Sequence, residues 1–234
     1  MIKAIFFDFN GVIIDDETIQ MKAYREVLRP HDIDLTEEAY FSALGMDDRT
    51  FVRAMFERAK KPLNDTVWQS VLEQKTAHHR EMIEDELPIF PGVITFLKAT
   101  SRHFSLGLVS MANKTEIGYV FQRAGLTPLF SVVVTAEDAS VCKPDPACYV
   151  TGLAKLNAKR QHERLLPLLP AECLAIEDSP PGIQSARAAG MRTLGVTNTV
   201  SEEALRAVGA DVVTKSLADW TVDSVKLVYS NSRH

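Results

Sequence analysis

Ile2-Lys3-Ala4-Ile5-Phe6-Phe7-Asp8-Phe9-Asn10-Gly11-Val12-Ile13-Ile14-Asp15 is the stretch whose reading decides the fold. The mainly apolar run from Ile2 to Phe7 reads as a buried strand, and it ends in a carboxylate, Asp8. In open parallel sheets the carboxyl edge of the strands is where ligands bind, because rigid strands hold the following loops around a crevice. Asp8 is therefore a candidate for chemistry. By itself the segment also fits a plain tight turn, since Asn-Gly favours such turns. The rest of the chain has to choose between the two.

After Asp15 the periodicity becomes helical and stays so to about Glu86. Helices are predicted at 18–28, 36–44, 48–59 and 65–83, where apolar residues recur at three and four spacing, with Thr36 and Asp65 as N-caps. From Pro91 onward the pattern alternates. Helices are expected at 92–100, 115–124, 146–156 and 182–189, and strands at 104–109, 132–135, 173–176, 193–196 and 211–213. Strands separated by helices imply a parallel sheet covered on both faces. The first strand must join that sheet, because a lone strand cannot bury its apolar residues. The predicted fold is an α/β protein with a doubly wound, Rossmann-like parallel-sheet core. Residues 1–15 and 87–234 form this core, and a four-helix, all-helical cap domain at 16–86 is inserted after the first strand. The stretch 155–170 receives no assignment.

Composition narrows the class. The chain has 234 residues, 46% hydrophobic and 24% charged, enough for a sizeable core plus a smaller domain. A net charge of -5 argues against a nucleic-acid surface, which needs a basic stripe to meet phosphates. No apolar segment has the length of a membrane span, and the N-terminal residues lack a signal-peptide pattern. Three cysteines, Cys142, Cys148 and Cys173, show no metal-finger spacing and are read as reduced thiols. The expectation is a cytoplasmic protein, a monomer or weak dimer, with no nucleic-acid or membrane partner.

Three further strand ends carry polar groups. The strand at 104–109 is followed by Ser110-Met111-Ala112-Asn113, a hydroxyl and turn amides able to hold a phosphate. Lys143-Pro144-Asp145-Pro146 places an ammonium between a strand and a helix, where proline constrains its direction. Ile176-Glu177-Asp178-Ser179-Pro180-Pro181-Gly182 sets two adjacent acids at a strand end. Adjacent acids in apolar surroundings are unfavourable unless a cation or donors compensate them. Each segment alone has a plain structural reading, as a turn, a helix start or an N-cap.

Together, in this order, the four segments resemble the four motifs of the haloacid dehalogenase superfamily. The resemblance is closest to its β-phosphoglucomutase-like branch, with a helical cap after the first motif, a Lys-Pro-x-Pro segment and Glu-Asp-Ser-x-x-Gly-Ile. The last of these reads Glu177-Asp178-Ser179-Pro180-Pro181-Gly182-Ile183 here. The resemblance implies a magnesium-dependent phosphatase-like hydrolase acting on a small phosphorylated metabolite. Asp8 would be the nucleophile, forming an aspartyl-phosphate. Mg2+ would be held by Asp8, the backbone carbonyl of Asn10 and Asp178, with Glu177 in support. Ser110, the amide of Met111 and Lys143 would clamp the phosphoryl oxygens. Arg49 and Lys75 of the cap fall near positions that contact substrate in that branch; Asn113 could reach a substrate hydroxyl, with capping of the following helix the preferred reading.

One position departs from the pattern. The first motif of the family reads Asp-x-Asp, and the second acid there protonates the leaving oxygen and then activates water. Asn10 cannot exchange that proton, and general acid–base catalysis is worth roughly 10²–10⁴-fold. Weak turnover on sugar phosphates and better turnover on acidic leaving groups are expected. A nearby acid, Asp15 or Asp16, could substitute; deamidation at Asn10-Gly11 could regenerate one; or Asn10 is itself a change that traps the enzyme. The competing readings are a sugar-phosphate mutase of the same branch and a non-catalytic phosphometabolite-binding protein. A dehalogenase is disfavoured, because its chemistry does not need Glu177 and Asp178 around a cation.

Overall fold

The structure, a computed structural model, describes residues 1–230. Its strands are short and nearly all apolar: β1 (Ala4–Phe7), β2 (Ser105–Val109), β3 (Val132–Val134), β4 (Cys173–Glu177), β5 (Arg192–Val196) and β6 (Val212–Thr214). All pair in parallel, in the order β3-β2-β1-β4-β5-β6. After β1 the chain runs outward through β2 and β3, then returns to the other side of β1 to begin β4. The order therefore reverses at β1, and a crevice opens above its carboxyl end.

Side chains alternate across the sheet and separate into two apolar layers. Ile5, Phe7, Leu106, Leu108, Leu174, Ile176 and Leu194 face one layer. Ala4, Phe6, Val109, Cys173 and Ala175 face the other. Helices cover both: α5 (Val93–Thr100), α6 (Lys114–Ala124), α7 (Ala147–His162), α8 (Pro180–Ala188), α9 (Glu202–Ala207) and α10 (Val222–Ser230). Phe7 meets Phe96 of α5 and Phe130 edge-on, each at 6.1 Å, an arrangement that suits the charge distribution of the rings.

Between β1 and α5 lie α1 (Glu17–Leu28), α2 (Glu37–Phe41), α3 (Asp48–Arg58) and α4 (Asp65–Met82). These helices bury a third apolar cluster of their own, including Tyr24, Leu28, Phe51, Val52, Phe56 and Val71. They form the helical cap over the α/β core. The two linkers that join it to the core run side by side. Asp15 N–H donates to the Pro88 carbonyl at 2.6 Å, and Phe90 N–H to that of Ile13 at 3.2 Å.

Local chemistry explains the element ends. Thr36 caps α2 as expected, accepting from Ala39 N–H at 3.1 Å. At α4 the cap is Asn64, which accepts from Val67 N–H at 2.9 Å; Asp65, expected in that role, is the first helical residue instead. A carboxylate in the first turn still suits the helix dipole. The unassigned stretch 155–170 continues α7 to His162 and then folds back. There Asn157 clamps Leu168, donating to its carbonyl at 3.0 Å and accepting its N–H at 2.7 Å.

Gly107 in β2 has a steric reason. A Cβ there would stand 2.5 Å from Cε1 of the Phe6 ring, which is itself fully buried. Gly107→Ala is expected to overpack this layer and lower stability by about 1–3 kcal/mol. Urea denaturation checks this, and an unchanged midpoint would show that Phe6 moves aside freely.

Candidate active site

Parallel register brings the first carboxylates together. Phe7 pairs with Leu108 of β2 and with Ile176 of β4, so Asp8, Val109 and Glu177 come next on three adjacent strands. Asp8 N–H continues the ladder, donating to the Ile176 carbonyl at 3.0 Å. Asp178 follows directly. Oxygens of Asp8, Glu177 and Asp178 all lie within 4.8 Å of one another.

Each acid is held from a different side. Glu177 is fully buried, and its Oε1 accepts from Lys143 Nζ at 2.7 Å and from the Tyr149 hydroxyl. Its Oε2 is buried with no hydrogen-bond partner. Gly182 allows this, since a Cβ there would collide with the Glu177 carboxylate. Lys143 Nζ also lies 3.0 Å from Asp8 Oδ1 and donates to the Val109 carbonyl at 3.3 Å. Asp178 Oδ2 accepts the Thr199 hydroxyl. Gly11 passes directly beneath it at φ +73°, where a side chain would strike Asp178. Asn198 Nδ2 anchors that turn by donating to the Gly11 carbonyl at 2.7 Å.

The corner is over-supplied with negative charge. Burial alone would pull the Lys143 ammonium down, but the carboxylates of Asp8 and Glu177 hold it above the ordinary lysine value. Burial pushes Asp178 well above the usual carboxylate range, and the nearby Asp8 charge adds to the shift. Glu177 is raised chiefly by burial, against the pull of Lys143. One ammonium does not balance three acids. Oxygen donors with a free buried carboxylate oxygen among them fit a hard divalent cation such as magnesium.

Beside the acids, Ser110 is fixed by its N–H, which donates to the Val134 carbonyl at 3.0 Å, and its Oγ accepts from Ala112 N–H at 3.0 Å. Ser110, Met111 and Lys143 line the same pocket as Asp8, Asn10 and Asp178. The cap closes the other side with Ala43, Leu44, Gly45 and Met46. Gly45 has φ +88°, and a Cβ on it would stand 2.8 Å from Pro181 Cβ, so bare cap backbone rests against the core.

Asn10 is held by its amide nitrogen. Its Nδ2 donates to both oxygens of Asp16 at 2.9 Å. Because a carboxylate only accepts, this contact orients the amide and leaves Oδ1 on the other side. Asp16 is completely buried and also takes hydrogen bonds from Gln20 Nε2 at 3.0 Å and His79 Nε2 at 2.7 Å. His79, to which the sequence assigned no chemistry, thus belongs to the cap–core junction.

Lys75 is placed differently from the expected substrate ligand. Although it lines the pocket, it is fully buried, and its ammonium bridges Asp48 of α3 at 3.0 Å and Glu116 of α6 at 2.9 Å. The two acids hold its charge above the usual lysine value against the effect of burial. Asn113 caps α6, accepting from Glu116 N–H at 2.9 Å, while its Nδ2 donates to Asp48 at 2.9 Å and Thr76 at 3.2 Å. Both residues therefore latch cap to core. Arg49 does not reach the Asp8 pocket; it is exposed and stacks over Trp68 at 5.6 Å.

Several participants escaped the sequence reading. Thr199 and Asn198 follow β5, and the polar run Thr197-Asn198-Thr199 at a strand end was the available signal. Tyr149, Gln20 and Glu116 sit on helices whose spacing reads as ordinary amphipathic surface. Glu17 is the pocket-lining acid that the sequence passed over in favour of Asp15 and Asp16.

A Rossmann-like parallel sheet with an acid-lined crevice at its switch point, under a helical cap, defines a capped α/β protein with a cation-binding corner. A model of the haloacid dehalogenase-like hydrolases matches residues 2–190, and the chain belongs to that family. Hexitol phosphatase B of Escherichia coli (strain K12) is 28% identical over 222 residues, covering 94% of this chain and 95% of its own. The phosphorylated carbohydrates phosphatase of Thermotoga maritima is 27% identical over 219 residues, covering 91% and 94%. The crystal structure of β-phosphoglucomutase from Clostridium difficile shares the fold, with a TM-score of 0.84 at 24% identity over 98% of each chain.

The latch gives a test of the closed junction. Lys75→Met leaves Asp48 and Glu116 buried without their cation, and removing one partner of a buried pair costs about 3–5 kcal/mol. A fall in stability of that size is expected in urea denaturation at neutral pH. No change would mean that the ammonium does not hold cap and core together.

Proposed function

We propose that the chain is a magnesium-dependent phosphatase of small phosphorylated metabolites, with phosphorylated carbohydrates as the substrate class. The carrying observation is the corner where Asp8, Glu177 and Asp178 converge within 4.8 Å beside Lys143 and Ser110. Two relatives at 27% and 28% identity over more than nine-tenths of the chain carry names for phosphatases of carbohydrate phosphates. The three thiols are not crosslinked, which agrees with a reducing cytoplasm.

In this reading Asp8 attacks phosphorus and forms an aspartyl-phosphate, dividing the hydrolysis into two transfers. Asp8, the Asn10 backbone carbonyl and Asp178 would hold the ion, with Glu177 in support. Bound magnesium supplies positive charge against the phosphoryl oxygens and the carboxylates. Lys143 shares that duty, and its contact with Glu177 keeps the ammonium aimed at Asp8. Ser110 and the Met111 amide receive the remaining oxygens, fixing the in-line geometry on which phosphoryl transfer depends. The cap excludes water while its lining reads the group that carries the phosphate.

A mutase of the same branch shares this fold. At position 10, where that branch uses an acid for proton exchange with the sugar hydroxyls, this chain has an amide oriented by Asp16, and the two relatives at 27% and 28% identity carry phosphatase names. Hydrolysis is the better reading.

Release of inorganic phosphate from an aryl phosphate and a panel of hexitol and hexose phosphates tests it. Turnover is expected to vanish in Asp8→Ala, and to be lost after chelation and regained with added magnesium. Full turnover in Asp8→Ala, or indifference to chelation, would overturn the assignment.

A further inference from the structure

We infer that Glu17 is the general acid and base of this site, taking over the proton transfers that Asn10 cannot perform; the inference rests on the phosphatase reading above. It follows from where each acid of the pocket spends its oxygens. In the phosphatase reading Asp8 is the nucleophile and Asp178 would hold the ion. Both oxygens of Asp48 are occupied, Oδ1 by Lys75 and Tyr24, Oδ2 by Asn113. Both oxygens of Glu116 are occupied, by Lys75 and Gln20. Asp16 is saturated by Asn10, Gln20 and His79, and Asp15 is exposed to solvent.

Glu17 differs. It lines the pocket with Asp8 and is only half-buried. Its Oε2 accepts the Tyr40 hydroxyl at 2.6 Å, and among the described residues no hydrogen bond reaches Oε1. Tyr40 thus fixes the carboxyl and leaves one oxygen for the substrate. A proton-transfer group also needs to ionise near working pH. Burial, then the neighbouring carboxylate of Asp16 and more weakly that of Asp8, raise Glu17 to about 7, against the opposing effects of the Tyr40 hydrogen bond and Lys75.

The steps balance. Asp8 attacks phosphorus, the bond from phosphorus to the leaving oxygen breaks, and that oxygen takes the proton of the Glu17 carboxyl. Glu17, now a carboxylate, accepts a proton from the entering water as its oxygen bonds to phosphorus. The bond to Asp8 breaks, phosphate leaves, and Glu17 is protonated again. Asn10 contributes position alone: its oriented amide presents Oδ1, and its backbone carbonyl remains available to the ion.

The test uses the magnesium-loaded chain and p-nitrophenyl phosphate, whose leaving group departs without an acid. In Glu17→Gln a burst of about one nitrophenolate per site is expected, with phosphorylated Asp8 accumulating. Steady turnover should then be roughly 10²–10⁴-fold slower, and added formate should partly restore it. Turnover of Glu17→Gln within about threefold of the unaltered chain would overturn the role, as would a folded variant with neither burst nor formate rescue. Circular dichroism of Glu17→Gln, with Glu17→Asp as a second variant retaining a carboxyl, separates misfolding from chemistry. If Glu17→Gln does not fold, a folded Glu17→Ala carries the test: formate rescue of its slowed turnover supports the role, and failure of that rescue overturns it. Absence of nitrophenolate and of phosphoenzyme in the unaltered chain would remove the phosphatase reading itself, and this inference with it.

Discussion

The buried ammonium of Lys143 is the constraint around which the rest is arranged. It lies 3.0 Å from Asp8 and 2.7 Å from Glu177, at the place where three parallel strands release their chains in step. Pairing of this kind offsets the desolvation of buried charge only when the remaining lone pairs find partners. Tyr149 and Thr199 supply two such partners, and the free oxygen of Glu177 marks where another positive charge belongs. Strand register, the glycine at 182 and the turn at Gly11 all serve that one concentration of charge.

A second polar centre, between cap and core, follows the same logic without taking part in bond breaking. Lys75, Asp48, Glu116 and Asn113 bind one another across the junction, and Asp16 gathers Asn10, Gln20 and His79. Ionic and hydrogen-bonded contacts are directional, so they define one docked orientation more narrowly than an apolar seam would. Asn10 belongs to both centres. Its amide is matched by Asp16, which makes the exchange of acid for amide at position 10 a coherent local solution rather than an isolated loss.

The architecture was largely legible because its signal is local. Each strand is a short apolar run, each cap helix repeats at three and four spacing, and the polar residues at strand ends stand out in an apolar background. Asp8, Ser110, Lys143, Glu177 and Asp178 were found this way, and the structure brings them into one pocket or its immediate wall. What stayed hidden depends on long-range geometry. Lys75 reads as a candidate substrate contact until Glu116 and Asp48 close over it, and His79 gives no hint of Asp16. Glu17 looked less promising than its two acidic neighbours. Only the fold shows that Asp16 is spent within the protein and that Asp15 faces outward.

Gly45 carries a consequence for selectivity. With no side chain there, the cap loop settles flush on Pro181 beside Lys143. On the phosphatase reading proposed above, a loop seated this way would favour compact phosphate esters over a phosphate borne on a polymer, so that size is screened before any bond is made.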